Sequence, residues 1–80
     1  MKGVDIMTKT IREWLSYYEE RYGRHYRIRI KDQEENSWTF YWWELHRISN
    51  ETLDREAKRV WSRPYTDEHG IRNRELEIIY

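Results

Sequence analysis

The sequence predicts an α+β domain: an N-terminal helix packed on a small antiparallel sheet, formed by a hairpin at 25–45 and a C-terminal strand at 74–80, with a second short helix or strand in 50–62. Three observations carry this. Apolar and aromatic residues from Ile11 to Tyr22 recur at three- and four-residue steps, the period of a helix. They alternate residue by residue through "HYRIRIK" and again through "RELEIIY", the period of a half-buried strand. Between these runs, polar "DQEENS" separates the first alternating stretch from "WTFYWWEL", whose β-branched and aromatic residues suit a return strand.

Each element has its own signals. Met7 offers a second start, which would make residues 1–6 a loosely held tail; the domain division expected is a flexible tail at 1–9 and a single domain at 10–80. Thr10 and Glu13 have the spacing of a capping box, in which hydroxyl and carboxylate each satisfy an unpaired amide at a helix start. Ile11, Trp14, Leu15, Tyr18 and Tyr22 then share one face, and Gly23 suits the left-handed conformation that ends a helix. In the next run Tyr26, Ile28 and Ile30 fall on the apolar side and His25, Arg27, Arg29 and Lys31 on a basic side. In the last run Leu76, Ile78 and Tyr80 point inward and Glu75 and Glu77 outward. Residues 49–62 have two readings. Leu53, Ala57, Val60 and Trp61 at helical spacing behind a Ser49 or Asn50 cap give a short helix, the first reading. The second ends a helical turn near Asp54 and runs "AKRVWSRPY" as a strand, paired with 74–80 across a loop holding "DEHG".

Eighty residues form one domain, and a domain this small buries only about 60–65% of the surface of its unfolded chain, so its core must come from few, large side chains. Five Trp, seven Tyr and one Phe supply them. With no cysteine, neither a disulfide nor a thiolate metal site supplements the core. Fifteen basic and fifteen acidic residues cancel, so no net field draws in nucleic acid or imitates it. No apolar run approaches the roughly 20 residues a membrane span needs, and "MKGVDIM" holds no signal-peptide core. A soluble, cytoplasmic protein without a membrane partner is expected.

The function turns on the five aromatic rings packed between Trp38 and Trp43. Only one face of that strand can meet the helix, and the hairpin register decides which. With Ile30 opposite Trp38, the residues Trp38, Phe40 and Trp42 join the core and leave Tyr41 and Trp43 beside the basic row; with Lys31 opposite Trp38, the two sets trade places. Either way an aromatic row shares a face with Arg27, Arg29 and Lys31. Guanidinium groups beside indole and phenol rings dominate protein interface hot spots, and the same types can stack bases and hold phosphates. A third reading is structural: Arg and Lys stems cover surface rings while Glu75 and Glu77 neutralise the row.

Catalytic and metal chemistry lack the groups they need. His25, His46 and His69 are scattered, no pair has a metal-ligand spacing, and "TDEHG" reads as a solvated turn. No phosphate loop, nucleophile elbow or zinc motif is present. No catalytic, cofactor or metal site is therefore expected, and the protein reads as non-enzymatic. The one catalytic alternative is a metal-independent ribonuclease using His25, Arg27, Arg29 and Tyr41.

In "MTKTIREWLSYYEERYG", the basic strand and polar turn after it, and "ETLDREAKRVW", the chain resembles the small accessory proteins of bacteriophages and integrative elements of Gram-positive bacteria. The resemblance implies an inhibitor made in the host cytoplasm that binds and occludes a host defence or gene-expression factor, as anti-CRISPR proteins do. Many such inhibitors are acidic mimics of DNA; this neutral chain departs from that pattern and points to occlusion by an aromatic surface. The expected contacts are Arg27, Arg29, Lys31, Tyr41 and Trp43, toward a protein partner. A single-stranded nucleic acid is the alternative, and a homodimer is open to a chain with exposed rings or a free strand edge.

Overall fold

The computed structural model describes residues 9–80. The α+β class holds, with helix α1 (Ile11–Tyr22) on one face of a four-stranded sheet. The strands are β1 (Arg27–Lys31), β2 (Ser37–Tyr41), β3 (Arg59–Thr66) and β4 (Arg72–Ile79), in the order β2-β1-β4-β3. The expectation of an antiparallel sheet needs one correction. β1–β2 and β3–β4 are antiparallel hairpins, but they join through a parallel β1–β4 pair, so the sheet is mixed. The chain between the hairpins, residues 42–58, crosses the covered side of the sheet, which lets β4 return in the direction of β1.

Helix α1 starts as its cap dictates: the Thr10 hydroxyl accepts from the Glu13 N–H at 3.2 Å, and the Glu13 carboxylate accepts from the Thr10 N–H at 2.8 Å. It stops at Gly23, whose φ of 83° a side chain would resist. Ile11 is fully enclosed, and Trp14, Leu15 and Tyr18 pack half-buried on the core, whereas Tyr22 lies at the exposed end of the stripe. The core itself is Ile11, Ile28, Ile30, Ile48, Ala57, Leu76 and Ile78. Of the expected tail at 1–9, only Lys9 falls within the described residues; its carbonyl accepts from the Ala57 N–H at 3.0 Å.

Residues 49–62 follow the second reading, not the helix. Helix α2 is a single turn, Asn50–Leu53, capped by Ser49, and β3 begins at Arg59. The helix fails to continue because the backbone of 55–57 is taken by the chain before α1: Ile11 N–H donates to the Arg55 carbonyl at 2.9 Å, and Thr10 bridges Glu56. The second strand of the first hairpin also ends early. At Tyr41 the chain turns into a 3-10 segment, Trp42–Arg47, because the Glu44 carboxylate takes the Tyr41 N–H at 3.1 Å. Trp42 and Trp43 therefore leave the strand alternation that would have put Trp42 in the core.

Candidate functional site

The register settles the aromatic question: Ile30 faces Trp38, Arg29 faces Thr39 and Arg27 faces Tyr41. Even-numbered residues of β1 and β2 thus turn to α1 and odd-numbered ones to the opposite face, which no described helix covers. Across that open face the strands set up rows: Tyr41, Arg27, Glu75 and Arg63 in one, and Thr39, Arg29, Glu77 and Trp61 in the next. Lys31 and Arg59 lie in a third row, beside Ser37 and Ile79.

The centre of the face is an ion-pair lattice. Arg27 Nε donates to Glu75 Oε2 at 2.6 Å and Arg63 Nε to Glu75 Oε1 at 2.9 Å. Arg63 also reaches Glu77 at 3.3 Å, and Lys31 reaches it from the other side at 3.4 Å. The outward direction expected for Glu75 and Glu77 is observed, yet the two are only 2% and 5% exposed, because the longer cationic side chains close over them. Burial alone would raise the Glu75 pKa; hydrogen bonds from Arg63 and Arg27 and their positive charge outweigh it and hold the carboxyl below its ordinary value.

At one end of the lattice stands an aromatic cluster. Tyr41 and Trp43 stack with ring centroids 5.1 Å apart, and Tyr26 meets both edge-on at 5.4 and 5.9 Å. Tyr26 stacks in turn on Tyr65 at 5.9 Å, and the Arg27 guanidinium lies 4.1 Å from the Tyr65 ring centre. Such contacts hold the rings at fixed angles without hiding them: Trp43 remains 48% exposed.

Arg29 stands apart from its neighbours. Among the described residues it makes no ion pair or side-chain hydrogen bond, and its Nε is buried without a partner. The strand positions of the open face carry five cations (Arg27, Arg29, Lys31, Arg59 and Arg63) against two carboxylates, Glu75 and Glu77. A chain of zero net charge thus has a locally positive face.

The five residues expected from the sequence lie on one face, with Tyr41 and Trp43 at the Arg27 end, Arg29 in the next row and Lys31 at the far end of β1. The structure adds Tyr26, Trp61, Arg63 and Tyr65. The last three follow from alternation once β3 is a strand, so the signal lay in the second reading of 49–62. Tyr26 and His25 are corrections to the alternation. The chain bends at Tyr26, so Tyr26 turns to the open face instead of the core, while His25 turns away from the basic row and is buried. His25 Nε2 lies 2.8 Å from the Ser62 hydroxyl, which also accepts from Arg74 Nε at 2.9 Å, and Tyr18 and Tyr22 meet the imidazole edge-on. Burial, reinforced by the Arg74 charge, pushes its pKa down, against a weaker opposing hydrogen bond to the Gly23 backbone. The set His25, Arg27, Arg29 and Tyr41 is therefore split across the sheet.

On the covered side, a groove of about 400 Å³ runs between α1 and the 42–53 segment, floored by Ile28 and Leu76. Its charged rim is already paired, Arg12 with Asp54 at 3.2 Å and Arg24 with Glu19 at 3.9 Å. Among the described residues no cluster of His, Asp and Glu could hold a metal ion, and no helix is long and apolar enough to cross a membrane. No protein-family model, curated protein or solved structure matches the chain.

Proposed function

We propose that the protein is a non-enzymatic binding module that occludes the surface of a protein partner with its open sheet face. Tyr26, Tyr41, Trp43 and Tyr65 form the apolar anchor, and Arg29, unpartnered among the described residues, stands in the next row of the same face. The observation that carries this reading is the pairing of half-exposed, mutually braced rings with an arginine, Arg29, whose side chain has no hydrogen-bond or ion-pair partner among the described residues. Buried aromatic and arginine side chains are what concentrate binding energy at interfaces, and rings already locked by their neighbours lose little freedom on binding. An inhibitor carried by a phage or mobile element, acting on a host factor in the host cytoplasm, is the setting we infer for such a module.

The local positive excess favours a second reading, a single-stranded nucleic acid laid over the same rings. Protein comes first because Arg27, Lys31 and Arg63 are already engaged by carboxylates, which leaves few cations free for phosphates. The test captures partners from host lysate on immobilised wild-type protein and on the Trp43→Ala and Arg29→Ala variants. The expected result is a protein retained by wild type after nuclease treatment and at about 0.5 M salt, and lost from both variants. Retention that collapses with nuclease or salt supports the nucleic-acid reading instead, and retention indifferent to both substitutions rejects the face.

A further inference from the structure

We propose that the β2 edge of the sheet pairs with the β2 edge of a second copy of this chain, antiparallel about a two-fold axis at Trp38. This surface is separate from the rings and arginines of the open face.

The sheet has two edges, β2 and β3, and they are treated differently. In the β1–β2 hairpin, Asp32 N–H donates to the Asn36 carbonyl and Trp42 N–H to the Tyr26 carbonyl. Even-numbered residues of β2 therefore direct their backbone groups at β1, and Ser37, Thr39 and Tyr41 direct theirs outward. In the β3–β4 hairpin, Asp67 N–H donates to the Ile71 carbonyl, so odd-numbered residues of β3 face β4 and even-numbered ones face out. Pro64 occupies one of those outward positions, where it removes a donor from the edge at no cost to the internal ladder. Arg59 and Arg63 add charge along the same strand. β2 has neither device: Ser37, Trp38, Thr39, Phe40 and Tyr41 are all uncharged, the last four are of high strand propensity, and the strand is exposed through Thr39. An edge left in this state is a template for another strand.

The groups that are free select the occupant and its register. The Tyr41 N–H is held by Glu44, which leaves the N–H and C=O of Ser37 and of Thr39 without a partner among the described residues. An axis at Trp38 sets Ser37 of each copy opposite Thr39 of the other, and each such pair exchanges both hydrogen bonds using only those free groups. An axis at Thr39 would instead demand the Tyr41 N–H. With the axis at Trp38 the two indoles face each other in a non-hydrogen-bonded position, where Cα atoms approach to about 4.5 Å and side chains touch most closely. Trp38 is 42% exposed and borders a cleft of about 250 Å³ lined by Ile30, Phe40, Ile48 and Tyr80 with Arg47, Ser49 and Thr52, so the second indole arrives over a mainly apolar hollow with a polar side. Because β2 carries no charge, the two-fold axis sets no like charges opposite one another.

Sedimentation velocity of the full chain from about 5 to 500 µM tests the pairing, since a self-association is read from its concentration dependence. The expected result is a reversible dimer. Thr39→Pro deletes an outward donor and leaves the β1 ladder intact, so it should retain the far-ultraviolet circular dichroism and weaken dimerisation at least about tenfold. Trp38→Lys places two like charges on the axis and should give a monomer; it decides the matter if Thr39→Pro does not fold. A wild-type monomer at the highest concentration overturns the proposal, as does a dimer that survives either folded variant.

Discussion

The two faces of the sheet are built from alternate residues of the same strands, yet different forces hold them. On the side of α1, Ile28, Ile30, Leu76 and Ile78 are enclosed by Ile11, Ile48 and Ala57. On the other side, among the described residues, Trp43 and Tyr26 stack against the strands only at Tyr41 and Tyr65, and the central Glu75 and Glu77 are buried by the arms of their own ion-pair partners. The first face is stabilised by removing apolar area from water. The second keeps its order by hydrogen-bonded charge and ring contacts while remaining accessible, so it can be rigid without being sealed. A sheet of this size has room for one hydrophobic layer, and the surplus rings become a surface.

The covered face is most sensitive at Ile30. It is 1% exposed and sits between Trp38 and Ile78 in the sheet. Ile30→Ala should cost about 2–5 kcal/mol, the transfer term plus a cavity, and a shift of the urea midpoint at unchanged slope measures it. In a domain of this size that is a large share of the total. A loss of less than about 1 kcal/mol would show that α1 packs too loosely for this face to be the core.

On the open face the most costly single change is Glu75→Ala, which leaves Arg27 without its carboxylate and Arg63 with Glu77 alone. Both arginines reach solvent, so the expected loss is about 1–3 kcal/mol, below that of a sealed ion pair. Urea melts in about 1 M salt should narrow the gap between wild type and variant, because screening weakens the lattice. The apolar face has no such dependence.

Much of this division was legible in the sequence, and the parts that were not have physical reasons. The cap at Thr10, the stop at Gly23 and the alternation of Ile28, Ile30, Leu76 and Ile78 are local patterns that the fold keeps. The register between β1 and β2 was legible only as two alternatives, because pairing depends on the turn geometry of 32–36 and not on either strand alone. Val60 and Trp61 misled because adjacent large residues fit a helical stripe as well as a strand with both faces occupied. The parallel pairing of β1 with β4 joins residues about 48 apart, such as Arg27 and Glu75, and no local pattern encodes it. Tyr26 and His25 changed sides at a backbone bend, and a strict period of two cannot anticipate a bend.

Acid should separate the faces in sequence, beginning with the covered one. His25 has a folded pKa below its ordinary 6.5, so as pH falls past that value the unfolded chain takes up a proton that the folded chain refuses. Stability is therefore intact above about pH 6.5 and declines below it, by at most about 1.4 kcal/mol per pH unit, until the folded pKa is passed. Glu75 enters later. Its folded pKa lies below 4.5, so its contribution is complete above that value and is lost as pH drops through the folded pKa. Urea midpoints between pH 7.5 and 3.5 should fall in two stages. His25→Gln should remove the first stage and Glu75→Gln should flatten the second; one stage insensitive to either substitution would contradict the assignment.

The smallest expected effect on stability comes from Arg29→Met, and it separates binding from folding most sharply. The Arg29 Nε is buried without an acceptor, a state that costs free energy rather than supplying it. Arg27 and Lys31 flank it two residues away on β1, and Glu77, its neighbour on β4, is engaged by Lys31 and Arg63. Methionine keeps an unbranched apolar stem at the position between Thr39 and Glu77 in the sheet and removes the unmet donor. The variant should unfold within about 0.5 kcal/mol of wild type or above it, while losing the partner retained by the wild-type face. A residue kept at the expense of stability is what a binding site requires. A loss above about 1.5 kcal/mol would instead make Arg29 part of the scaffold, and the case for the open face would then rest on Tyr26, Tyr41, Trp43 and Tyr65 alone.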